Sequence, residues 1–302
     1  GVKGLSLFLC PCRRSDGSRN AVTVTRIEEK MGLHASPTCQ LAFDNAEAEL
    51  VGEEGQGLAA MFAMMNHART DVALQGVAHA ARAYDIAASY AAERQQGRSP
   101  EGAPVTIDQH ADVRRMIDEI DRLALGARAI AHLACVTMER GDNSALVEFL
   151  TPLAKVYCTE AGMRAVELGM QVLGGYGYLR EYRIEQTYRD ARITAIYEGT
   201  NGIHARMMAT RLAGSAAGDA FASYMQKEAS RLSSEKAVML LELWHTTREG
   251  VLNAKDPSVL AEDFLQASIK ALLACIWANL DHNKSHHPDG ARLERLCSNR
   301  SA

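Results

Sequence analysis

A carboxylate at the end of an apolar run, followed at once by glycine, is the arrangement in this chain richest in chemistry. In Ala191-Arg-Ile-Thr-Ala-Ile-Tyr-Glu-Gly-Thr-Asn-Gly-Ile203, Glu198 precedes Gly199 at what reads as a loop-to-helix junction. A carboxylate among apolar neighbours is harder to ionise, which suits a general base working near neutral pH. Glycine at 199 admits a second backbone or a ligand. Thr200 or Asn201 can cap the helix that follows, and a helix N-terminus favours a negative group. Taken alone, a glutamate in such a place is more often an ordinary loop or capping residue.

Other reactive residue types carry weaker signals. The seven cysteines form no CxxC pair. Cys10 and Cys12 have no His or Cys after them at zinc-finger spacing, so the cysteines read as thiols in a reducing compartment. Met61, Met64 and Met65 read as core or pocket wall rather than metal ligands. His286 and His287 read as solvated, and no metal site is expected. Gly174-Gly-Tyr-Gly177 follows a helix-like stretch and lacks the G-x-G-x-x-G pattern, so no βαβ dinucleotide fold is expected around it. The same glycines read equally as a helix C-cap. Arg69 alone is a surface cation, and Arg94 a solvated helix-end one.

The elements that must position these residues follow from periodicity. Residues 1–51 read as β: Leu5–Leu9, Val22–Thr25 and Thr38–Phe43 alternate or run apolar, with turn chemistry at Asp16-Gly17 and Asp44-Asn45. After Gly57 the period becomes helical. Ala73, Val77, Ala80, Tyr84, Ala87 and Ala91 share one face of a long helix that ends by Gly97. Val113 through Ala134 form a second. A third begins near Pro152 and stops at Gly174-Gly175, and a fourth runs from about Ile203 to Leu212. Long helices with short connections imply an antiparallel four-helix bundle. Gly214–Gly218 reads as a linker, residues 219–281 as further helices, and the polar sequence from His282 as a frayed tail.

Composition sets limits. The 302 residues are 47% apolar and 23% charged, enough to bury a core, and the net charge of −4 marks no nucleic-acid binder. No apolar run reaches the length of a membrane span. The chain starts on Gly1 and enters directly into strand-like sequence, which reads as a segment of something longer.

Several motifs together resemble the acyl-CoA dehydrogenase family. Ile196-Tyr-Glu-Gly-Thr-Asn-Gly202 looks like its catalytic-base motif, and Gln171-Val-Leu-Gly-Gly-Tyr-Gly177 like its flavin-contacting loop. Glu181 to Arg192 is similar to the segment joining them. Gly4–Leu9, Glu29–His34 and Leu50–Leu58 look like the second half of its middle β-domain. His34–Cys39 and Met61–Asn66 resemble a branch that includes 3-(methylthio)propanoyl-CoA dehydrogenases, which carries an extra C-terminal helical domain. The likeness runs in order from Gly1 to about Arg211. It departs from the family's pattern at Gln95-Gln96-Gly97, where a Phe usually precedes the Gly, and at His204 and Arg206, where the family favours Gln and an acidic residue.

The resemblance implies a mainly α chain with a small β portion. Residues 1–57 would be the second half of the middle β-domain, 58–213 the four-helix-bundle dehydrogenase domain, and 214–302 an additional helical domain. It implies FAD, an acyl-CoA substrate, electron-transfer flavoprotein as acceptor, a homodimer or homotetramer, and a cytoplasmic location, or the mitochondrial matrix in a eukaryote. By the resemblance Glu198 is the catalytic base. Arg94, Gln171, Gly174, Gly175, Thr200 and Asn201 contact FAD, Arg94 at the pyrophosphate of a neighbouring subunit. Arg69, Tyr197 and Gly199 meet the substrate. The family's N-terminal helical domain and the first half of its β-domain have no counterpart here. The alternatives are an acyl-CoA oxidase, in which oxygen re-oxidises the flavin, and a truncated or inactive helical assembly module.

Overall fold

The computed structural model describes residues 4–286 and 289–298, with the side chains of Phe62 and Ala63 left out. His287 lies outside the described residues; His286 is exposed. The chain divides into two compact units, one ending at Ala68 and one starting at Arg69.

The first unit holds four short strands: β1 (Leu7–Leu9), β2 (Val22–Ile27), β3 (Cys39–Phe43) and β4 (Glu49–Val51). They pair as two antiparallel ribbons. β1 runs against β4 with Leu7 opposite Val51, and β2 against β3 with Val22 opposite Phe43 and a bulge between Val24 and Arg26. Both turns expected from sequence are present, and Asn45 takes the left-handed conformation (φ 51°) that its short polar side chain tolerates. β4 escaped the sequence reading because three residues are too few to show a period. Two-stranded ribbons cannot bury their apolar residues, and Phe8, Leu9, Ile27, Leu41 and Phe43 stay exposed.

Helix α1 (Gly57–Glu93) passes from the first unit into the second. Its exit is followed by a small ribbon, β5 (Gln95–Arg98) with β6 (Pro104–Thr106), where the sequence suggested only a break. Then come α2 (Ala111–Arg140) and α3 (Ser144–Leu173), joined by left-handed Gly141 and by Asn143, whose side chain accepts a hydrogen bond from the Leu146 N–H at 3.0 Å. That cap starts α3 at Ser144, eight residues before the expected start, and Pro152 lies inside the helix. The second unit continues with α4 (Ile184–Ala191) and α5 (Asn201–Met207). A π-helical turn, Met208–Leu212, extends α5, so together they fill the place of the expected fourth helix.

Packing explains the glycines of the long helices. A Cβ built on Gly76 of α1 would lie 2.2 Å from the Cys158 carbonyl oxygen on α3, and one on Gly162 would lie 2.7 Å from the Gly76 oxygen. The two helices cross backbone to backbone, as only glycine allows. On the C-terminal side of the crossing, Ala80, Ala83 and Ala87 of α1 share one buried apolar cluster with Ile120 of α2 and Val166 and Val172 of α3.

Three further helices, α6 (Ala216–Leu232), α7 (Glu235–Asn253) and α8 (Ala261–His282), share a second core with α2 and α3. Its centre is aromatic: Phe149 stacks on Phe221 with ring centroids 4.3 Å apart, and Trp244 and Phe264 close around them. The buried Trp244 indole donates to Ser268 Oγ at 2.8 Å. The expected linker is a short turn at Gly214-Ser215, for Ala217 and Gly218 are already buried in α6. A Cβ on Gly218 would meet the Leu212 oxygen at 2.6 Å.

Residues 290–298, expected as part of a frayed tail, form α9 (Gly290–Ser298). Charge holds it in place. Arg292 Nε donates at 2.8 Å to Asp121, whose side chain is wholly buried in α2, and Arg295 pairs with Asp118 at 3.2 Å. Periodicity alone does not reveal such long-range pairs. No helix among the described residues is long and apolar enough to cross a membrane.

Candidate active site

The chain leaves α4 through a 3-10 turn, Arg192–Ala195, and reaches α5 across the loop that carries Glu198. Glu198 has φ 53° and Gly199 φ 90°. A left-handed backbone costs a non-glycine residue about 1–2 kcal/mol, so this turn needs support from its surroundings. Both of its carbonyls are held. The Glu198 oxygen accepts from His204 Nε2 at 3.0 Å, and the Gly199 oxygen accepts from Lys155 Nζ at 2.8 Å. A Cβ on Gly199 would sit 2.9 Å from His204 Nε2, so space as well as φ requires glycine there.

The residues on either side are engaged too. The Tyr197 hydroxyl donates to Gln75 Oε1 on α1, and burial pushes its pKa up. Thr200 Oγ1 accepts from the Ile203 N–H at 3.3 Å and caps α5. Asn201 Oδ1 accepts a second bond from Lys155 at 2.9 Å, while its amide donates to Thr159 Oγ1 at 3.3 Å and to Glu160 Oε1 at 3.1 Å. Arg69, half-buried on α1, faces this loop: burial lowers the pKa of its guanidinium, and the Glu198 carboxylate acts in the opposite sense.

Two buried titratable groups complete the arrangement. His204 is 1% exposed, and burial pulls its pKa down to about 4 against the bond to the Glu198 carbonyl, so it is neutral at neutral pH. Donation to that carbonyl requires the proton on Nε2, which leaves Nδ1 a buried acceptor with no hydrogen-bond partner among the described residues. Lys155 is wholly buried, and burial lowers its pKa to about 8. A carboxylate on a fixed turn with cations nearby can accept a proton from a carbon acid and steady the charge left behind.

A second group of residues lines a cleft of about 730 Å³ at the C-terminal ends of α1 and α3. Gln171, Gly174 and Gly175 form one wall, and nothing lies within 4 Å of where a Cβ would stand on either glycine. Gly174 has φ 59° and ends α3, so the C-cap reading and the cleft-wall reading both describe it. Tyr90, Tyr176 and Tyr182 cluster with centroids 5.2–6.2 Å apart. The exposed Arg94 guanidinium lies 5.5 Å from the Tyr176 ring centre and pairs with no carboxylate among the described residues. Opposite, His110 Nε2 bonds the Gln96 carbonyl at 2.7 Å. An unpaired guanidinium beside bare glycine backbone suits a phosphate-bearing group.

The expected site residues therefore fall into two groups. Glu198, Arg69, Tyr197, Gly199, Thr200 and Asn201 gather at the Glu198 loop; Arg94, Gln171, Gly174 and Gly175 gather at the cleft. Thr200 and Asn201, expected beside the flavin contacts, have their side chains occupied by the cap and by α3. Sequence reasoning passed over Lys155, Gln75, Tyr90 and His110. For Lys155 a signal existed: it is the one charge in the run Phe149–Cys158. Gln75, Tyr90 and His110 carried none.

The family model of the acyl-CoA dehydrogenase C-terminal domain matches residues 55–213. The chain is 43% identical over 222 residues to 3-methylmercaptopropionyl-CoA dehydrogenase of Ruegeria pomeroyi, covering 68% of this chain and 38% of that protein. Among solved structures, Caenorhabditis elegans ACDH-11 in complex with C11-CoA superposes with a TM-score of 0.79 at 21% identity, over 98% of this chain and 53% of that one. Bacillus anthracis acyl-CoA dehydrogenase complexed with FAD does so with a TM-score of 0.70 at 23% identity, over 92% and 54%. These two extend the shared fold past residue 213 into the helices α6 to α8. The chain thus spans between about two fifths and about a half of the length of these relatives.

Proposed function

The chain belongs to the acyl-CoA dehydrogenase family, and on that footing we propose that it carries the catalytic base and part of the cofactor cradle of an FAD-dependent enzyme that dehydrogenates an acyl-CoA thioester. The observation that carries this reading is the Glu198 turn. A glutamate is held in a left-handed conformation by bonds to its own carbonyl and to that of Gly199, with Arg69 beside it.

In this reading the Glu198 carboxylate takes the α-proton, which the thioester makes acidic. Arg69 would meet the thioester end, with Tyr197 and Gly199 as further substrate contacts. Bound FAD supplies the acceptor for the hydride that leaves the β-carbon. The cleft fits the phosphate-bearing part of that cofactor: it has room, an unpaired guanidinium in Arg94 and two glycines open to close approach. Arg94, Gln171, Gly174 and Gly175 are the residues that would hold it. The substrate class, electron-transfer flavoprotein as acceptor and a homo-oligomeric assembly belong to the same proposal.

The cofactor half is tested by Arg94→Ala. Loss of a charge-assisted phosphate contact costs about 1.5–3 kcal/mol, so FAD affinity should fall roughly 10- to 100-fold. The loss of the contact should also flatten the salt dependence of FAD binding, because an ionic contact is screened. An FAD titration at low and high salt that matches the unaltered protein at both would remove Arg94 from the cradle.

A further inference from the structure

Proton abstraction requires Glu198 to point in one direction, and His204, the local support, holds only the first carbonyl of its turn. The loop places two consecutive residues at positive φ, and the first of them carries a side chain that disfavours this conformation. Such a turn persists only where its surroundings over-determine it. Its strongest tie comes from α3. Lys155 Nζ donates to the Gly199 carbonyl at 2.8 Å and to Asn201 Oδ1 at 2.9 Å, joining the base turn to the first residue of α5. Asn201 is anchored in turn to α3 through Thr159 and Glu160.

We propose that Lys155 is a positioning residue for the base: its buried ammonium clamps the Glu198–Gly199 turn and so sets the direction of the Glu198 carboxylate. The inference rests on the reading of Glu198 as the base.

Packing does not account for a lysine here. The side chain is wholly buried, and an ammonium taken from water is costly unless donors and charge are both matched. Two acceptors, the Gly199 carbonyl and Asn201 Oδ1, take two of its three donors. The charge is set by the groups that face it: Glu160 on α3 and Glu198 in the loop favour the cation, while Arg69 on α1 disfavours it. His204 on α5, neutral at neutral pH, adds no charge. Burial brings the pKa of Lys155 down to about 8, so the clamp is charged at neutral pH and loses its charge in a mildly alkaline range that an exposed lysine would not reach. His204 holds the other carbonyl of the turn, and its neutral ring does not titrate in that range.

Lys155→Met keeps the volume of the aliphatic stem and removes the donors. Amide hydrogen exchange on the full chain at pH 7 should be about tenfold faster at residues 197–204 in this variant, the scale expected when a left-handed turn loses its support. The amides of α2 should keep their rates. Between pH 7 and 9.5, after correction for intrinsic exchange, the unaltered loop should loosen with a midpoint near 8, and the variant should show no such step. Equal acceleration across the loop and α2, or a loop that is indifferent to both the substitution and pH, would overturn the proposal.

In flavin-loaded protein, Lys155→Met should lower the rate of flavin reduction by acyl-CoA about tenfold with little change in KM. An unchanged rate would also overturn it. The exchange measurement does not involve Glu198 chemistry. If Glu198→Gln leaves turnover intact while the loop still loosens in Lys155→Met, the reading of Glu198 has failed and the clamp has not.

Discussion

Replacing Arg292 by Met tests how α9 is held to the bundle. Asp121 has no exposed side-chain surface and accepts from Arg292 Nε at 2.8 Å and from its Nη2, while Arg295 approaches no closer than 3.6 Å. The Arg292 guanidinium also lies 4.9 Å from the Tyr84 ring centre. Removing one partner from a buried pair costs about 3–5 kcal/mol, mostly from the charge left behind. Arg292 is itself 34% exposed and Arg295 remains, which puts the loss near the lower end, about 3 kcal/mol. A second route limits it. If α9 undocks, Asp121 is hydrated at the expense of exposing Leu293 and Leu296, both 2% exposed, at about 1.5–3 kcal/mol each. The two routes are comparable, so the variant should spend a measurable fraction of its time with α9 detached. Cys297, 5% exposed on the same helix, reports this. Urea unfolding should show the lost stability, and thiol labelling of Cys297, identified against a Cys297→Ser control, should speed up by roughly two orders of magnitude. Arg292→Met combined with Asp121→Leu should recover most of the loss, because an apolar pair of similar volume replaces the ionic one. A single variant within about 0.5 kcal/mol of the parent, with Cys297 labelling unchanged, would refute the reasoning.

Two other perturbations follow from the packing. His204 has a folded pKa of about 4 against roughly 6.5 when unfolded, so the unfolded chain takes up a proton first and stability is lost as pH falls from about 6.5 towards 4, by something on the order of 3 kcal/mol. His204→Gln should flatten that part of the stability–pH curve, and an identical curve would remove His204 as its source. Gly76→Ala puts a methyl group 2.2 Å from the Cys158 carbonyl oxygen, an overpacking worth at least about 2 kcal/mol, and should lower Tm by roughly 4–8 °C; a change under about 1 °C would mean that the helices can part at that point without cost.

The sequence showed the helices because their apolar faces repeat, and their boundaries where a residue has a conformational job. Gly174 marked the end of α3. Pro152 misled, since the cap at Asn143 had already started the helix eight residues earlier, at Ser144. The Glu198 loop was legible through its motif, because the same short run holds the carboxylate, the glycine and the cap. Its supports were not. Lys155 and Gln75 lie 44 and 122 positions from the loop residues they bond, on α3 and α1, and only the folded packing brings them to the loop. The α9 latch was hidden for the same reason, with Asp121 and Arg292 separated by 171 positions.

The central claim is that Glu198 is the base, and the most direct measurement is the anaerobic rate at which acyl-CoA reduces the flavin in FAD-loaded protein, parent against Glu198→Gln. The amide keeps the size of the side chain and its hydrogen-bonding reach while removing the proton acceptor. FAD content and acyl-CoA affinity should stay close to those of the parent, and the rate of flavin bleaching should fall by roughly 10²–10⁴-fold, the usual contribution of a positioned general base. Bleaching at a near-parental rate, with FAD and acyl-CoA still bound, would contradict the account.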